Sequence, residues 1–217
     1  MYPLLLNKHQ RTKVDESPDQ IFYSSPKFVH HLDSNFRSKL TSLYKKHIRN
    51  DSVVLDLMSS WVSHLPLDAK YKKVIGHGLN QSELANNKQL DSYWVQDLNT
   101  DYIIPLEDKS VDYVLVVAGW QYLQYPESIT SEIGRILNND GKLIISFSNR
   151  AFWHKTPNIW REGSYEDHFE YIKLILKSQD WDNIELVNDI HKTNKLLQFA
   201  GIMKDPFHSL IAQKSIH

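Results

Sequence analysis

The chain has 217 residues, 41% of them hydrophobic and 24% charged, with 25 Lys and Arg against 26 Asp and Glu for a formal net charge of −1. This suits a globular chain of one domain, with or without a small appendage, long enough to bury a proper core, and it speaks against a surface built to grip nucleic-acid phosphates. The absence of cysteine excludes disulfides, thiolate metal sites and a cysteine nucleophile, and no stretch approaches the ~18 apolar residues of a membrane span.

The N-terminal MYPLLLNKHQRTK has no signal-peptide layout, so a cytoplasmic protein is expected. Residues 1–20 are mixed and polar, with Pro3 and Pro18, and read as a loose arm. Over 26–49, Phe28, Val29, Leu32, Phe36, Leu40 and Leu43 recur at helical spacing, which predicts one or two helices ahead of the sheet. Val53 to Leu57 is apolar apart from Asp56 and reads as a buried strand. A polar turn, Met58-Ser59-Ser60, and a helix start follow it. A strand feeding a turn at a helix N-terminus is how doubly wound sheets hold nucleotide-like cofactors.

Lys73 to Ile75 forms a second strand ahead of Gly76-His77-Gly78-Leu79-Asn80, and a short helix covers 81–88. Tyr93 to Val95 is a third strand, running into Gln96-Asp97-Leu98-Asn99, and Val111 to Ala118 is a β-branched fourth. Pro126 to Leu137 is amphipathic, with Ile129, Ile133 and Ile136 on one side. Asn139-Asp140-Gly141 makes a turn before a fifth strand over Lys142 to Phe147. A helix over 166–178 precedes two last strands, Asn183 to Val187 and Ser209 to Ala212, joined by a long connection carrying Gly201 and Pro206. Trp61, Trp94, Trp120, Tyr122, Trp153 and Trp160 gather near strand ends, either as core packing or as aromatic walls of a pocket.

The alternation predicts an α/β fold, a Rossmann-like doubly wound sheet with helices on both faces. From about residue 50 the order of motifs resembles a class I S-adenosylmethionine-dependent methyltransferase of the type 11-like kind. The most specific run is DLNTDYIIPLEDKSVDYVLVVAGWQYLQYPESITSEIGRILNNDGKLIISFSNR, which matches in order and spacing together. The resemblance implies seven mostly parallel strands ending in a C-terminal antiparallel β-hairpin. It implies a methyltransferase-like domain over 50–217, preceded by an arm and helices over 1–49 that could form a lid. The cofactor implied is S-adenosylmethionine, and the partner a small-molecule methyl acceptor, with no nucleic acid and no membrane.

Position by position, Asp56 and Leu57 match the acid and apolar residue that open the family's first motif. Its three glycines fall on Met58, Ser60 and Val62, so this motif is glycine-less. Met58, Ser59 and Ser60 then stand where the methionine moiety lies, and the two serines could bond its carboxylate. Asp56 either serves the cofactor or accepts backbone bonds at its strand end. The ribose-binding acid falls on Gly78, beside Leu79; Asn80 or His77 would replace it or act as turn residues. Asp97 and Leu98 match the adenine-binding pair, with a capping Asp as the alternative. Asp112 matches a structural acid, and Ala118 begins the stretch that faces cofactor and substrate. His154 and Tyr122 are the candidate catalytic residues, with His30, His31 and His64 as further bases; Tyr23, Phe28, Trp120 and Trp153 would wall or cover the acceptor. No metal motif is present: His30 and His31 are adjacent and diverge on a helix. The function expected is methyl transfer to a small molecule, and the alternative is an inactive methyltransferase-like binding or regulatory module. A nicotinamide enzyme lacks its G-x-G-x-x-G.

Overall fold

The computed structural model describes residues 4–189 and 205–214. Seven strands make one sheet: β1 (Val53–Leu57), β2 (Lys73–Gly78), β3 (Ser92–Val95), β4 (Val111–Val117), β5 (Leu137–Phe147), β6 (Asn183–Asp189) and β7 (Phe207–Gln213). Their order is β3-β2-β1-β4-β5-β7-β6, and only β7 runs antiparallel to its neighbours. The helices described are α1 (Lys8–Arg11), α2 (Asp19–Phe22), α3 (Ser34–His47), α4 (Gln81–Asn86), α5 (Pro126–Ile136), α6 (Asn158–Arg161) and α7 (Tyr165–Lys177). This is the doubly wound architecture with its terminal antiparallel pair. The connection carrying Gly201 lies outside the described residues. Among those residues no helix is long and apolar enough to cross a membrane.

Period-2 alternation divides the strand side chains between two cores. Leu55, Val114, Val116 and Ile145 pack with Ile133 of α5 and Ile172 of α7. Val54, Tyr113, Leu115 and Ile144 pack instead with Phe36 and Leu40 of α3. Asp112 accepts hydrogen bonds from the Val53 N–H and the Asn138 side chain, both at 2.8 Å, and so ties β4 to β1 and β5. Val111 pairs with Leu137 and Tyr113 with Lys142, so Asn139-Asp140-Gly141, expected as a turn ahead of the fifth strand, lies within β5 at an irregularity of the β4–β5 ladder.

Three sequence expectations change. The helix expected from residue 26 begins only at Ser34, because the Asp33 carboxylate accepts the Phe36 N–H at 2.7 Å and caps it there. Phe28 and Val29 are therefore exposed loop residues. No helix follows β1: residues 58–72 are irregular, with positive φ at Met58 and His64 and with the Ser59 and Ser60 hydroxyls donated to Asp56 and Glu83.

The arm, expected to be loose, is pinned. The Glu127 carboxylate, at the start of α5, accepts the Leu5 and Leu6 N–H groups and pairs with the Arg11 guanidinium at 2.8 Å. Burial works against its ionisation, but the Arg11 and Leu6 bonds outweigh it and hold the carboxyl below its usual range. Hydrophobic periodicity carries no trace of an ion pair between residues so far apart in sequence.

Glu127→Ala would leave the Arg11 charge buried and unmatched. We expect a loss of about 3–5 kcal/mol in unfolding free energy, measured by urea denaturation; an unchanged midpoint would show that the arm does not support the fold.

Candidate functional site

A cavity of about 500 Å³ opens at the carboxyl ends of β1, β2, β3 and β4. It lies where the strand order reverses between β1 and β4, the ligand-binding crevice of open α/β sheets, and its size is that of a small-molecule site.

The floor is the turn after β1. Met58 takes φ 61°, the left-handed conformation that favours glycine, at the first glycine position of the expected motif. The chain path is thus the one a glycine would give, at a cost of about 1–2 kcal/mol for a residue with a Cβ. The turn is tied down to β2. The Ser59 N–H donates to the His77 carbonyl at 2.6 Å, and the Met58 N–H donates to His77 Nδ1 at 3.2 Å. Nδ1 therefore carries no proton, and Nε2 donates to the Gln96 carbonyl at 2.9 Å. Burial lowers the His77 pKa to about 4, so this tautomer persists at neutral pH.

Gly78 is required by the same packing. A Cβ there would stand 2.5 Å from the Ser59 carbonyl oxygen. The position where the family carries an acid cannot take a side chain while the turn lies across it. Gly119, after β4, meets the turn from the other side: its Cβ would be 2.8 Å from Met58 Cβ.

Asp56 is buried under the turn and accepts the Ser59 hydroxyl. Burial raises its pKa to about 6, against the hydrogen bonds from Ser59 and Ser63. Ser60 donates its hydroxyl to Glu83 on α4, and the other Glu83 oxygen accepts the Lys27 N–H at 2.7 Å. Asn80 caps α4 through the Glu83 N–H and donates to the Tyr23 and Ser24 carbonyls. Both Asn80 and His77 are thus committed to holding protein groups, not free to replace a ribose-binding acid. Asp97 accepts the Asn99 N–H at 2.9 Å, capping the turn after β3, while also lining the cavity beside Leu98. Burial raises its pKa, the Asn99 bond offsetting part of the effect.

The cavity brings together Asp56, Met58, Ser59, Ser60, Gly78, Leu79, Asn80, Asp97, Leu98 and Ala118, together with Tyr23 and Tyr122. Ala118, like Met58, has positive φ, at 49°. The Tyr122 oxygen accepts the Phe152 N–H at 3.0 Å, and burial pushes its phenol up to about 12. Burial raises the Tyr23 phenol further. Both are neutral donors at pH 7. Four candidates lie elsewhere. Trp120 is 1% exposed in the core, Trp153 is 61% exposed, Phe28 is exposed beside Trp61, and His154 packs on Phe22. None of the four lines the cavity.

Lining residues that sequence patterns did not single out include Asp19, Lys27, Arg37, Glu83 and Arg150. Glu83 alone had a local signal: it stands three residues after Asn80, the spacing of a capping box.

Two expected outcomes test this geometry. Gly78→Ala would push the Ser59 carbonyl off β2; a loss of about 1–3 kcal/mol in urea denaturation is expected, as for overpacking a rigid site. Asp56 has a folded pKa above its unfolded value of 3.8. The folded state thus holds a proton that the unfolded state has lost, and this group's contribution to stability falls as pH rises from about 4 to 6. The advantage of Asp56→Asn over the natural protein should shrink on going from pH 7 to pH 5; a pH-independent difference would place the carboxyl outside the buried site.

A methyltransferase domain model matches residues 61–145, beginning just beyond the turn after β1. None of the curated proteins matches the chain. Among solved structures it resembles a methyltransferase from Haloferax volcanii in complex with the Trm112 activator, at 17% identity and TM-score 0.57, over 84% of this chain and 91% of that one. An S-adenosylmethionine-dependent methyltransferase from Archaeoglobus fulgidus is similar at 14% identity and TM-score 0.57, over 82% and 94%. Phosphoethanolamine N-methyltransferase 2 of Haemonchus contortus, in complex with S-adenosylmethionine, is similar at 16% identity and TM-score 0.57 over 84% of this chain, which spans about half (53%) of that protein. At these identities the structural likeness is one of fold. The matched domain model and the strand order together give the chain the fold of the class I S-adenosylmethionine-dependent methyltransferases.

Proposed function

We propose that this protein is a methyltransferase that uses S-adenosylmethionine and acts on a small-molecule acceptor. The observation that carries the reading is one cavity lined both by Asp97 and Leu98 and by the turn after β1. Its donors and acceptors fit the cofactor. Asp97 would accept from the adenine amino group. Glu83, on the helix that follows Gly78, is the cavity carboxylate that would take a ribose hydroxyl. Ser59 and Ser60 spend their hydroxyl protons on Asp56 and Glu83, which leaves their oxygen lone pairs for an ammonium.

The cofactor supplies an activated methyl on a sulfonium; the chain's own task is orientation and exclusion of water. Tyr23, Trp61, Tyr122 and Phe152 give the cavity aromatic walls. A volume of about 500 Å³ lies within the range of small-molecule sites and supports a small acceptor.

Titration calorimetry with S-adenosylmethionine and S-adenosylhomocysteine tests the reading. Both should bind, and Asp97→Ala should weaken each about ten- to hundredfold, the loss of a charge-assisted hydrogen bond. No heat at millimolar ligand would reject the assignment. A second reading, a binding module without catalysis, is favoured by the commitment of His77 and Asn80 and by the filled space over Gly78. Formation of S-adenosylhomocysteine across a panel of small acceptors separates the two.

A further inference from the structure

Charge is divided within the cavity. Asp56, Glu83 and Asp97 belong to the part described above as the cofactor's, and Asp19 lies beside Asp97, accepting the Asn99 amide at 3.0 Å. The wall on the α3 side carries Arg37, His30, His64 and the indole of Trp61.

The cations of the cavity differ in how they are matched. Arg150 pairs with Asp205. Lys27 lies over the Phe22 and Tyr23 rings, 4.9 and 5.4 Å from their centroids. Arg37 has only a long bond, 3.4 Å from Nε to the Asp33 carbonyl, and makes no ion pair among the described residues. Its fork of donors is available to a ligand.

The groups beside it are arranged in the same sense. The His30 ring stacks on Trp61 at 4.8 Å and 29°, and the His64 ring lies 6.2 Å from that of His30. The Trp61 N–H is taken up by the Val29 carbonyl at 3.2 Å, which fixes the indole plane. Burial first, and the Arg37 charge second, lower the pKa of both imidazoles, to about 4 for His64. Near neutral pH both are uncharged, and each has a ring N–H to donate. A half-buried guanidinium flanked by two neutral donors and a rigid aromatic plane lacks one component, a negative charge; charge-assisted bonds from Arg are the strong way to hold an oxyanion. This wall exists because residues 58–72 form a loop instead of a helix after β1, which lets His64 and Trp61 turn into the cavity.

We propose that Arg37, with His30 and His64, binds an oxyanion, a carboxylate or a phosphate, carried by the methyl acceptor, and that Trp61 forms the plane against which the acceptor's body lies. The proposal rests on the methyltransferase reading for the word acceptor, though not for the anion site itself.

The test follows the histidine ring resonances by NMR while the protein, saturated with S-adenosylhomocysteine, is titrated with inorganic phosphate and, separately, with acetate. His30→Ala and His64→Ala assign the two signals. Saturable shifts of His30 and His64 with at least one oxyanion are expected, with S-adenosylhomocysteine retained. Arg37→Gln should raise the midpoint at least tenfold and leave S-adenosylhomocysteine affinity within twofold. The stronger of the two oxyanions distinguishes a phosphate-bearing from a carboxylate-bearing acceptor. Absence of shifts with both would overturn the proposal. So would displacement of S-adenosylhomocysteine by the oxyanion, or a tenfold loss of its affinity in Arg37→Gln, since Arg37 would then hold the cofactor's own carboxylate. If S-adenosylhomocysteine does not bind the natural protein, the cofactor reading fails, and the same titrations on the free protein still decide the anion site.

Discussion

The two hydrogen bonds from the turn after β1 to His77 shape everything above the sheet. Strand ends in a doubly wound fold present a crevice, but its depth depends on how the first turn leaves the sheet. Here the turn lies flat across β2, held by the His77 carbonyl and ring nitrogen together. A glycine at 78 is the geometric counterpart of that arrangement, and a left-handed Met58 is its conformational one. Replacing flexible residues by a clamped turn exchanges backbone freedom for a fixed floor.

The sheet was readable from the chain because each strand carries its own evidence. Val111 to Val117 is a β-branched run, and the alternation of Val54 with Leu55 and of Val114 with Leu115 matches the two cores. The loop after β1 was not, since a helix start and a serine-rich turn share the same residue types. Ser59, Ser60 and Ser63 instead spend their hydroxyls and carbonyls on Asp56, Glu83 and Asn87, partners from different parts of the chain. Aromatic residues near strand ends were poor guides to the site: Tyr122 lines the cavity while Trp120, two residues earlier in the same 3₁₀ turn, is core. Which way a turn rotates each side chain is decided by packing, not by local spacing.

Much of the cavity wall comes from the segment ahead of the sheet. Glu83 receives the Lys27 N–H, Asn80 holds the Tyr23 and Ser24 carbonyls, and Trp61 holds Val29. Further back, Lys13 and Lys155 converge on Asp19 with its carboxylate 2.6 and 3.4 Å away, and Asn99 joins them at 3.0 Å. Those side chains link the arm to the turn after β3 that carries Asp97. The arm and the strand ends therefore form one polar framework, in which a shift at either side is felt by the other.

The position of β7 has a consequence for how the molecule is made. Its residues are nearly all buried, and it is inserted between β5 and β6, which come earlier in the chain. Until residue 213 has left the ribosome, β5 has an open edge and β6 has no strand beside it. Emergence of β7 thus closes an interior gap, and nascent chains pausing before that point would expose a row of backbone donors and acceptors to chaperones or to one another.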